Sequence, residues 1–148
     1  MEEESSLVLH VVICEKDDSV RKTLSSYIIA FSKELGFHIK IHQYERMSMN
    51  PQDIINLCSY MNFVILNVEF NEKGISFCQE LLNKNFSLPI LLISDETIRV
   101  QPFIPLVGTI YIPVDRNLFR KFFHRAVGQL LCERQIQRRQ LDIKISKD

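Results

Sequence analysis

The sequence predicts an α/β domain in which a doubly wound, five-stranded parallel sheet lies between two layers of helices. Five short β-type segments alternate along the chain with segments whose apolar residues recur every three or four positions, which is typical of parallel sheets with helical crossovers. Two of the β-type segments, residues 63–68 and 88–94, are almost wholly apolar, as expected for strands buried on both faces. A length of 148 residues suits one domain with its own core.

The first two strands and the helix between them follow from local patterns. Residues 7–14 (LVLHVVIC) form an apolar β-type run, and residues 37–44 (FHIKIHQY) alternate as a half-exposed edge strand would. The apolar positions between them predict a helix that begins near Ser19, with Asp18 or Ser19 as its N-cap, and ends at Gly36.

The middle of the chain predicts two more strands, each preceded by a helix. Pro51 suits the first turn of a short helix, and the apolar strand 63–68 follows it. A polar loop then ends at Gly74, a third helix starts there, and the strand 88–94 comes next.

A fourth helix is expected between residues 95 and 107, but its sequence is unfavourable. Pro102 and Pro105 fall inside this segment, and a proline in a helix interior costs about 3 kcal/mol. We therefore expect this helix to be short or distorted, with the fifth strand following at residues 108–114.

The last helix carries a wide apolar stripe. Asp115 or Asn117 is placed to cap this helix. Because the stripe is wider than one core-facing side requires, we expect part of it to face a partner. The interface candidates on it are Phe119, Phe122 and Phe123.

Changes in composition near both ends of the chain bound the predicted domain at residues 7–131. Residues 1–6 are polar and are predicted to be disordered. Residues 132–148 lose the apolar stripe and are interpreted as a linker, and the alternating apolar residues at 141–145 resemble the start of a strand. We expect that strand to begin a C-terminal output domain that this sequence does not include.

Composition and charge argue against several classes of function. The formal net charge is zero, so the chain as a whole gives no argument for nucleic acid. Between residues 115 and 139 seven Lys and Arg stand against two acids, and a solvated helix face is favoured over a nucleic-acid contact. No apolar run approaches the roughly 18 residues that span a membrane, and the N-terminus lacks a secretory signal. We expect a cytoplasmic protein with no membrane partner.

The cysteines and histidines do not predict a metal site. The four cysteines contain no CxxC pair, which favours reduced thiols in a cytosolic protein. His38 and His42 share one face of the second strand, but they lie four residues apart, too far for easy chelation. His10 is interpreted as a core or edge histidine.

Polar side chains collect at the carboxyl ends of the predicted strands. Parallel sheets place their ligands and chemistry at these ends, so these side chains are the candidate site. They are Glu15, Lys16 and Asp17 after the first strand, Asn67 in the third strand and Ser94 at the end of the fourth strand.

The order and spacing of these elements resemble the receiver domains of bacterial two-component response regulators, over residues 7–131. The segments that carry the resemblance are ICEKD, FVILNVEFNEKG, LLIS and YIPVD. The resemblance implies a flavodoxin-like receiver fold with an acidic pair after the first strand that binds magnesium. It also implies an aspartate at the end of the third strand that accepts a phosphoryl group, a Ser or Thr on the fourth strand, and a lysine followed by a proline on the fifth.

The chain departs from that pattern where the chemistry occurs. The acidic pair aligns with Glu15 and Lys16, the phosphoacceptor with Asn67 and the lysine with Val114, whereas the hydroxyl is kept as Ser94. An amide is a very poor nucleophile for forming an acyl phosphate, and valine cannot neutralise a phosphoryl oxygen. We therefore predict a degenerate phosphorylation site with weak or absent Mg²⁺ binding, no cofactor and no catalytic residues.

Two details of this site have more than one interpretation. Lys16 is hypothesised to replace the metal as the local cation and to pair with Glu15 or Asp17, although a solvent-facing Lys16 fits the sequence equally well. By the resemblance, Ser94 and Tyr111 are candidate switch residues, because in the family a hydroxyl and a ring on the fifth strand move together on activation. A plain core or surface tyrosine is the alternative for Tyr111.

The functional hypothesis is an atypical receiver domain that acts without phosphorylation as a regulatory and dimerisation module of a transcription regulator. It looks most like receivers joined to LytTR-type DNA-binding domains, so DNA contact is expected only through the missing C-terminal domain. A homodimer is expected through the face of the fourth helix, fifth strand and last helix, with a histidine kinase or another protein as a further partner. The alternative is a flavodoxin-like domain that binds a small ligand at the strand ends, although the chain's glycines do not cluster into a phosphate-binding loop. An enzyme is not expected.

Overall fold

The computed structural model describes residues 8–44, 51–67, 74–85, 87–95 and 106–146. Within these ranges the chain forms five strands that alternate with four helices. In chain order they are β1 (Val8–Cys14), α1 (Asp18–Leu35), β2 (His38–Tyr44), α2 (Pro51–Ser59), β3 (Phe63–Asn67), α3 (Gly74–Lys84), β4 (Ile90–Ser94), β5 (Gly108–Tyr111) and α4 (Arg116–Ser146).

The strands form one sheet in the order β2-β1-β3-β4-β5, and all neighbouring strands are parallel. The predicted doubly wound parallel sheet is therefore confirmed, and β2 is an edge strand, as its alternating pattern indicated. The strand order reverses at β1, so the carboxyl ends of β1 and β3 flank the point where such sheets bind ligands.

Each face of the sheet has its own apolar core. Val12 and Leu66 belong to the core under α2 and α3, whereas Ile13 and Ile65 belong to the core under α1 and α4. Every residue of β3 and β4 is buried, because helices cover both faces of these central strands. This burial is the physical reason for their unbroken apolar runs.

The capping residues of α1 lie close to the predicted ones, but the N-cap is displaced toward the N-terminus. Asp17, not Asp18 or Ser19, is the N-cap of α1, and its Oδ1 accepts a hydrogen bond from the Val20 amide at 3.1 Å. Gly36 ends α1 with a φ of 77°, a left-handed conformation that glycine adopts without strain.

Asp115 caps the N-terminus of α4 as predicted, because its Oδ1 accepts from the Leu118 amide at 2.9 Å. The helix then continues to Ser146, a length of 31 residues. The prediction of a strand start at 141–145 was therefore wrong, whereas the interpretation of residues 132–148 as a linker stays a prediction. A strand needs a neighbouring strand for its backbone hydrogen bonds, whereas a helix satisfies these bonds within itself.

Two of the predicted strands are shorter in the structure. β4 begins at Ile90, after Pro89, and β5 ends at Tyr111, before Pro113. Proline has no N–H to donate to a sheet, so a proline at either position favours a strand boundary. Val114 thus lies in the loop before α4, not on the strand.

Several predictions concern residues that the structure does not describe. The disorder of residues 1–6, the polar loop at 69–73 and most of the fourth-helix segment lie outside the described residues. Within the described part of the chain, no helix is long and apolar enough to cross a membrane.

Candidate functional site

The structure brings Glu15 and Asn67 together at the carboxyl ends of β1 and β3. These strands are neighbours, and Cys14 pairs with Leu66. Glu15 and Asn67, which come next along the chain, therefore lie side by side. Asn67 Nδ2 donates to Glu15 Oε1 at 2.7 Å, and the two residues are only 4% and 2% exposed. A hydrogen bond to a buried carboxylate is among the stronger ones in proteins.

The remaining polar groups of Glu15 are also engaged. Its second carboxylate oxygen, Oε2, accepts from the Asp17 amide at 3.1 Å. Its own amide donates to the Tyr44 carbonyl at 3.1 Å. The carboxylate is therefore held between Asn67 of β3 and the start of α1, and both of its oxygens already accept hydrogen bonds.

Arg21 is the part of the site that sequence reasoning missed. Its side chain returns from α1 to the end of β1, where Nη1 donates to the Glu15 carbonyl at 2.7 Å. Nη2 donates to Asp18 Oδ1 at 3.0 Å, and Arg21 is 8% exposed. Long side chains in helices point back toward the helix N-terminus. An arginine in the first turn of a helix that starts at a strand end was therefore the available signal.

Lys16 does not take the position of the metal. It is exposed, and among the described residues no ion pair joins it to Glu15 or Asp17. The hypothesised pairing was therefore wrong, and Lys16 faces the solvent. The buried cation of the site is Arg21, and Asp17 serves as the cap of α1.

Ser94 and Tyr111 occupy paired positions on neighbouring strands. β4 and β5 align Ser94 with Tyr111. The Ser94 side chain is fully buried, and its Oγ donates to the Asp95 carbonyl at 3.0 Å. Tyr111 is 43% exposed on the edge strand. Val114 is half-buried and packs against the core under α1 and α4.

Two of the three phenylalanines predicted at an interface belong to the core. Phe119 and Phe123 are fully buried and pack against Phe31 of α1, with ring centroids 6.2 and 6.4 Å away. The interface prediction was therefore wrong for these two, because the wide apolar stripe of α4 fills the space between α1 and the sheet. Phe122 is half-buried beside Gly108.

The described side chains at this site offer a magnesium ion few of the oxygen ligands that it needs. Mg²⁺ needs several hard oxygen ligands in an octahedron, but both Glu15 oxygens accept hydrogen bonds and Asp17 Oδ1 caps α1. Asn67 turns an N–H donor toward the site's carboxylate. Within the described ranges there is no group of three or more His, Cys, Asp or Glu side chains that could hold a metal ion.

No protein-family model matches the sequence, and no curated protein matches it. Among solved structures, the chain is similar to a response regulator receiver protein from Sinorhizobium medicae, with a TM-score of 0.57 and 10% identity over 82% of this chain and 95% of that chain. It is also similar to the N-terminal domain of the nisin resistance regulator NsrR, with a TM-score of 0.51 and 15% identity over 82% of this chain and 97% of that chain.

The chain has the flavodoxin-like α/β fold that these two receiver domains also have. The predicted α/β fold class is thereby confirmed, and the five parallel strands with helices on both faces are those of the two receiver domains. A similar fold occurs in a lysine decarboxylase from Francisella novicida, with a TM-score of 0.57 and 11% identity over 82% of this chain but 17% of that chain. Because such folds occur in both settings, the receiver fold by itself does not assign an activity.

Proposed function

We propose that this chain is an atypical receiver domain that does not transfer phosphoryl groups and acts as a regulatory and dimerisation module of a transcription regulator. The observation that carries the proposal is the hydrogen bond of 2.7 Å from the Asn67 amide to the buried Glu15 carboxylate. It puts a donor where phosphoryl transfer to a receiver needs a nucleophilic oxygen.

The chemistry of the neighbouring side chains supports this proposal. An acyl phosphate forms only when a carboxylate oxygen attacks phosphorus, and the Asn67 side chain has no carboxylate. Glu15 accepts hydrogen bonds through both oxygens, so a metal would compete with the present contacts. Val114 offers no positive charge to a phosphoryl oxygen. The described part of the site is thus a hydrogen-bonded network with no carboxylate at residue 67.

Acetyl phosphate with Mg²⁺ tests the loss of phosphotransfer. The purified chain is incubated with both, and its intact mass is measured beside a receiver domain that has its aspartate. We expect no added phosphoryl mass on this chain and one phosphoryl group on the control. A stoichiometric gain on this chain would overturn the proposal, and peptide mapping would then identify the acceptor.

Exposed apolar side chains support the dimerisation part of the proposal. Tyr111, Ile112 and Leu118 are 43%, 39% and 37% exposed, and all three lie around the connection from β5 to α4. Apolar side chains exposed together are typical of interaction surfaces. This face belongs to the β5 and α4 surface through which receivers are expected to pair.

Sedimentation velocity over a range of concentrations tests the dimer. Leu118→Arg should shift the wild-type dimer to monomer, because a charge would be buried in the interface without a partner. Leu57→Arg is the matched control, since Leu57 is 38% exposed on α2, away from this face. Equal effects of the two variants, or a monomeric wild type, would contradict dimerisation but leave the phosphotransfer result intact.

The remaining parts of the proposal rest on the sequence resemblance. We propose that a LytTR-type output domain makes the DNA contact and that a histidine kinase or another protein supplies the input. This chain alone should therefore give no sequence-specific change in fluorescence anisotropy with promoter DNA. A specific change would contradict the proposal that the output domain makes the DNA contact.

A further inference from the structure

A pair of histidines joins β2 to β1 at the edge of the sheet. His10 Nδ1 and His42 Nε2 are 3.2 Å apart. The register aligns His10 with Lys40 and Val12 with His42, so the two rings are diagonal neighbours on the face that α2 and α3 cover. From the sequence alone, His42 could be related only to His38, because the pairing of β2 with β1 is a property of the tertiary structure.

The geometry of the pair fits a proton. The ring centroids are 5.4 Å apart and the ring planes differ by 26°. The centroid separation exceeds the nitrogen separation by about the width of one ring, so the two nitrogens point at each other nearly head-on. This is the arrangement of an N–H on one ring that donates to the lone pair of the other.

A metal ion fits the same pair less well. Two imidazole ligands of one tetrahedral ion must aim their lone pairs at a point beside the line that joins the nitrogens, and these rings aim along that line. The neighbouring Lys40 adds a positive charge. The described residues also provide no third ligand from His, Cys, Asp or Glu.

The surroundings disfavour a second positive charge on the pair. The pKa of His42 is lowered, first by burial and then by the charges of His10 and Lys40. The acids Asp53 and Glu80, on the two covering helices, are not among the groups that shift it. The other ionisable groups on these elements are Cys14 on β1, His38 and Tyr44 on β2, Cys58 on α2, and Cys78 and Lys84 on α3.

We propose that the His10–His42 pair is a proton-sensitive link that holds the edge strand β2 on β1. Near neutral pH one N–H lies between the two nitrogens. When both rings are protonated, neither nitrogen can accept, so the hydrogen bond is lost and two positive charges face each other. The Tyr44 carbonyl of β2 also accepts from the Glu15 amide. Weaker pairing of β2 with β1 would therefore also affect the strand-end site.

The direction of the pH effect follows from linkage. The pKa of His42 in the folded state is lowered below its ordinary value of about 6.5, so the unfolded chain binds the proton more tightly. The contribution of the link is fully present above pH 6.5 and is lost as the pH falls through the folded pKa. One excess proton in the unfolded state changes the folding equilibrium constant by at most about tenfold per pH unit.

Urea unfolding at pH 7.5 and pH 5, combined with NMR titration of the histidine ring protons, tests this link. We expect wild type to lose stability at the lower pH and His42→Gln to lose markedly less. His38→Gln is the matched control, because His38 is exposed on the same strand, and it should behave like wild type. In His10→Gln the pKa of His42 should rise toward its ordinary value.

Three outcomes would overturn the proposal. They are an unchanged pH dependence in His42→Gln, a His42 that titrates at or above 6.5 in the folded wild type, and a wild-type pH dependence that His38→Gln also removes. Stabilisation by Zn²⁺ that both His10→Gln and His42→Gln abolish would also overturn it, since the pair would then be a metal site.

Discussion

Asn67→Asp is the substitution that tests the strand-end site most directly. It replaces the amide that donates to Glu15 Oε1 at 2.7 Å with a carboxylate, at positions only 4% and 2% exposed. An ionised aspartate there would lose a hydrogen bond to a charged group, worth about 1.5–3 kcal/mol. It also places two carboxylates in contact inside the protein.

The cost of this contact has an upper bound. Two like charges at this distance repel strongly in a buried site, so one carboxyl group takes up a proton instead. Protonating an aspartate with an ordinary pKa of about 3.9 at pH 7 costs about 4 kcal/mol. The protonated group can then donate to Glu15, as Asn67 does. We therefore expect Asn67→Asp to destabilise the fold by about 2–4 kcal/mol at pH 7.

The same reasoning fixes the pH dependence. The folded-state pKa of the carboxyl pair is raised above its unfolded value, so the folded state binds the extra proton more tightly. The deficit should shrink by about 1.4 kcal/mol for each pH unit as the pH falls from 7 toward 4. The stability of Asn67→Asp therefore approaches that of wild type in mild acid.

Urea unfolding at pH 7 and pH 5 without divalent cations measures both effects. Asn56→Asp is the control, because Asn56 is exposed on α2 and the substitution adds the same charge; we expect a change within about 0.5 kcal/mol. A wild-type stability of Asn67→Asp at pH 7 would refute the reasoning. So would a deficit that does not decrease at pH 5.

Two further substitutions, each compared with a second variant, test the packing around the site and on α4. Arg21→Gln should cost about 1.5–3 kcal/mol in urea unfolding, because it removes the buried hydrogen bond to a strand-end carbonyl. The neighbouring Lys22→Gln, whose side chain is 78% exposed, should cost less than about 0.5 kcal/mol, and equal costs would contradict the role of Arg21. Gly108→Ala should lower the thermal midpoint and cost about 1–3 kcal/mol, because the new Cβ would lie 2.5 Å from the Phe122 ring. Gly128→Ala meets nothing within 4 Å and should stabilise α4 by about 0.5–1 kcal/mol, so a loss there would contradict the packing of this helix.

The fold could be predicted because its signals are local. The unbroken apolar runs of β3 and β4, the alternation of β2 and the glycine at the end of α1 each depend on a few consecutive residues. The order of elements then leaves few ways to arrange a parallel sheet. The end of α4 was mispredicted, since three alternating apolar residues cannot show whether a neighbouring strand exists.

The sequence by itself determined the parallel α/β architecture and the chemical content of the strand ends. An asparagine at residue 67 provides no carboxylate and a valine at residue 114 provides no positive charge in any conformation, because side-chain chemistry does not depend on the fold. Only the tertiary structure decided which groups meet. The Arg21 contact with Glu15, the burial of the α4 phenylalanines and the pairing of His10 with His42 join residues that are distant in sequence or project from different elements. Such contacts depend on strand register and helix rotation, which are set by packing of the whole domain.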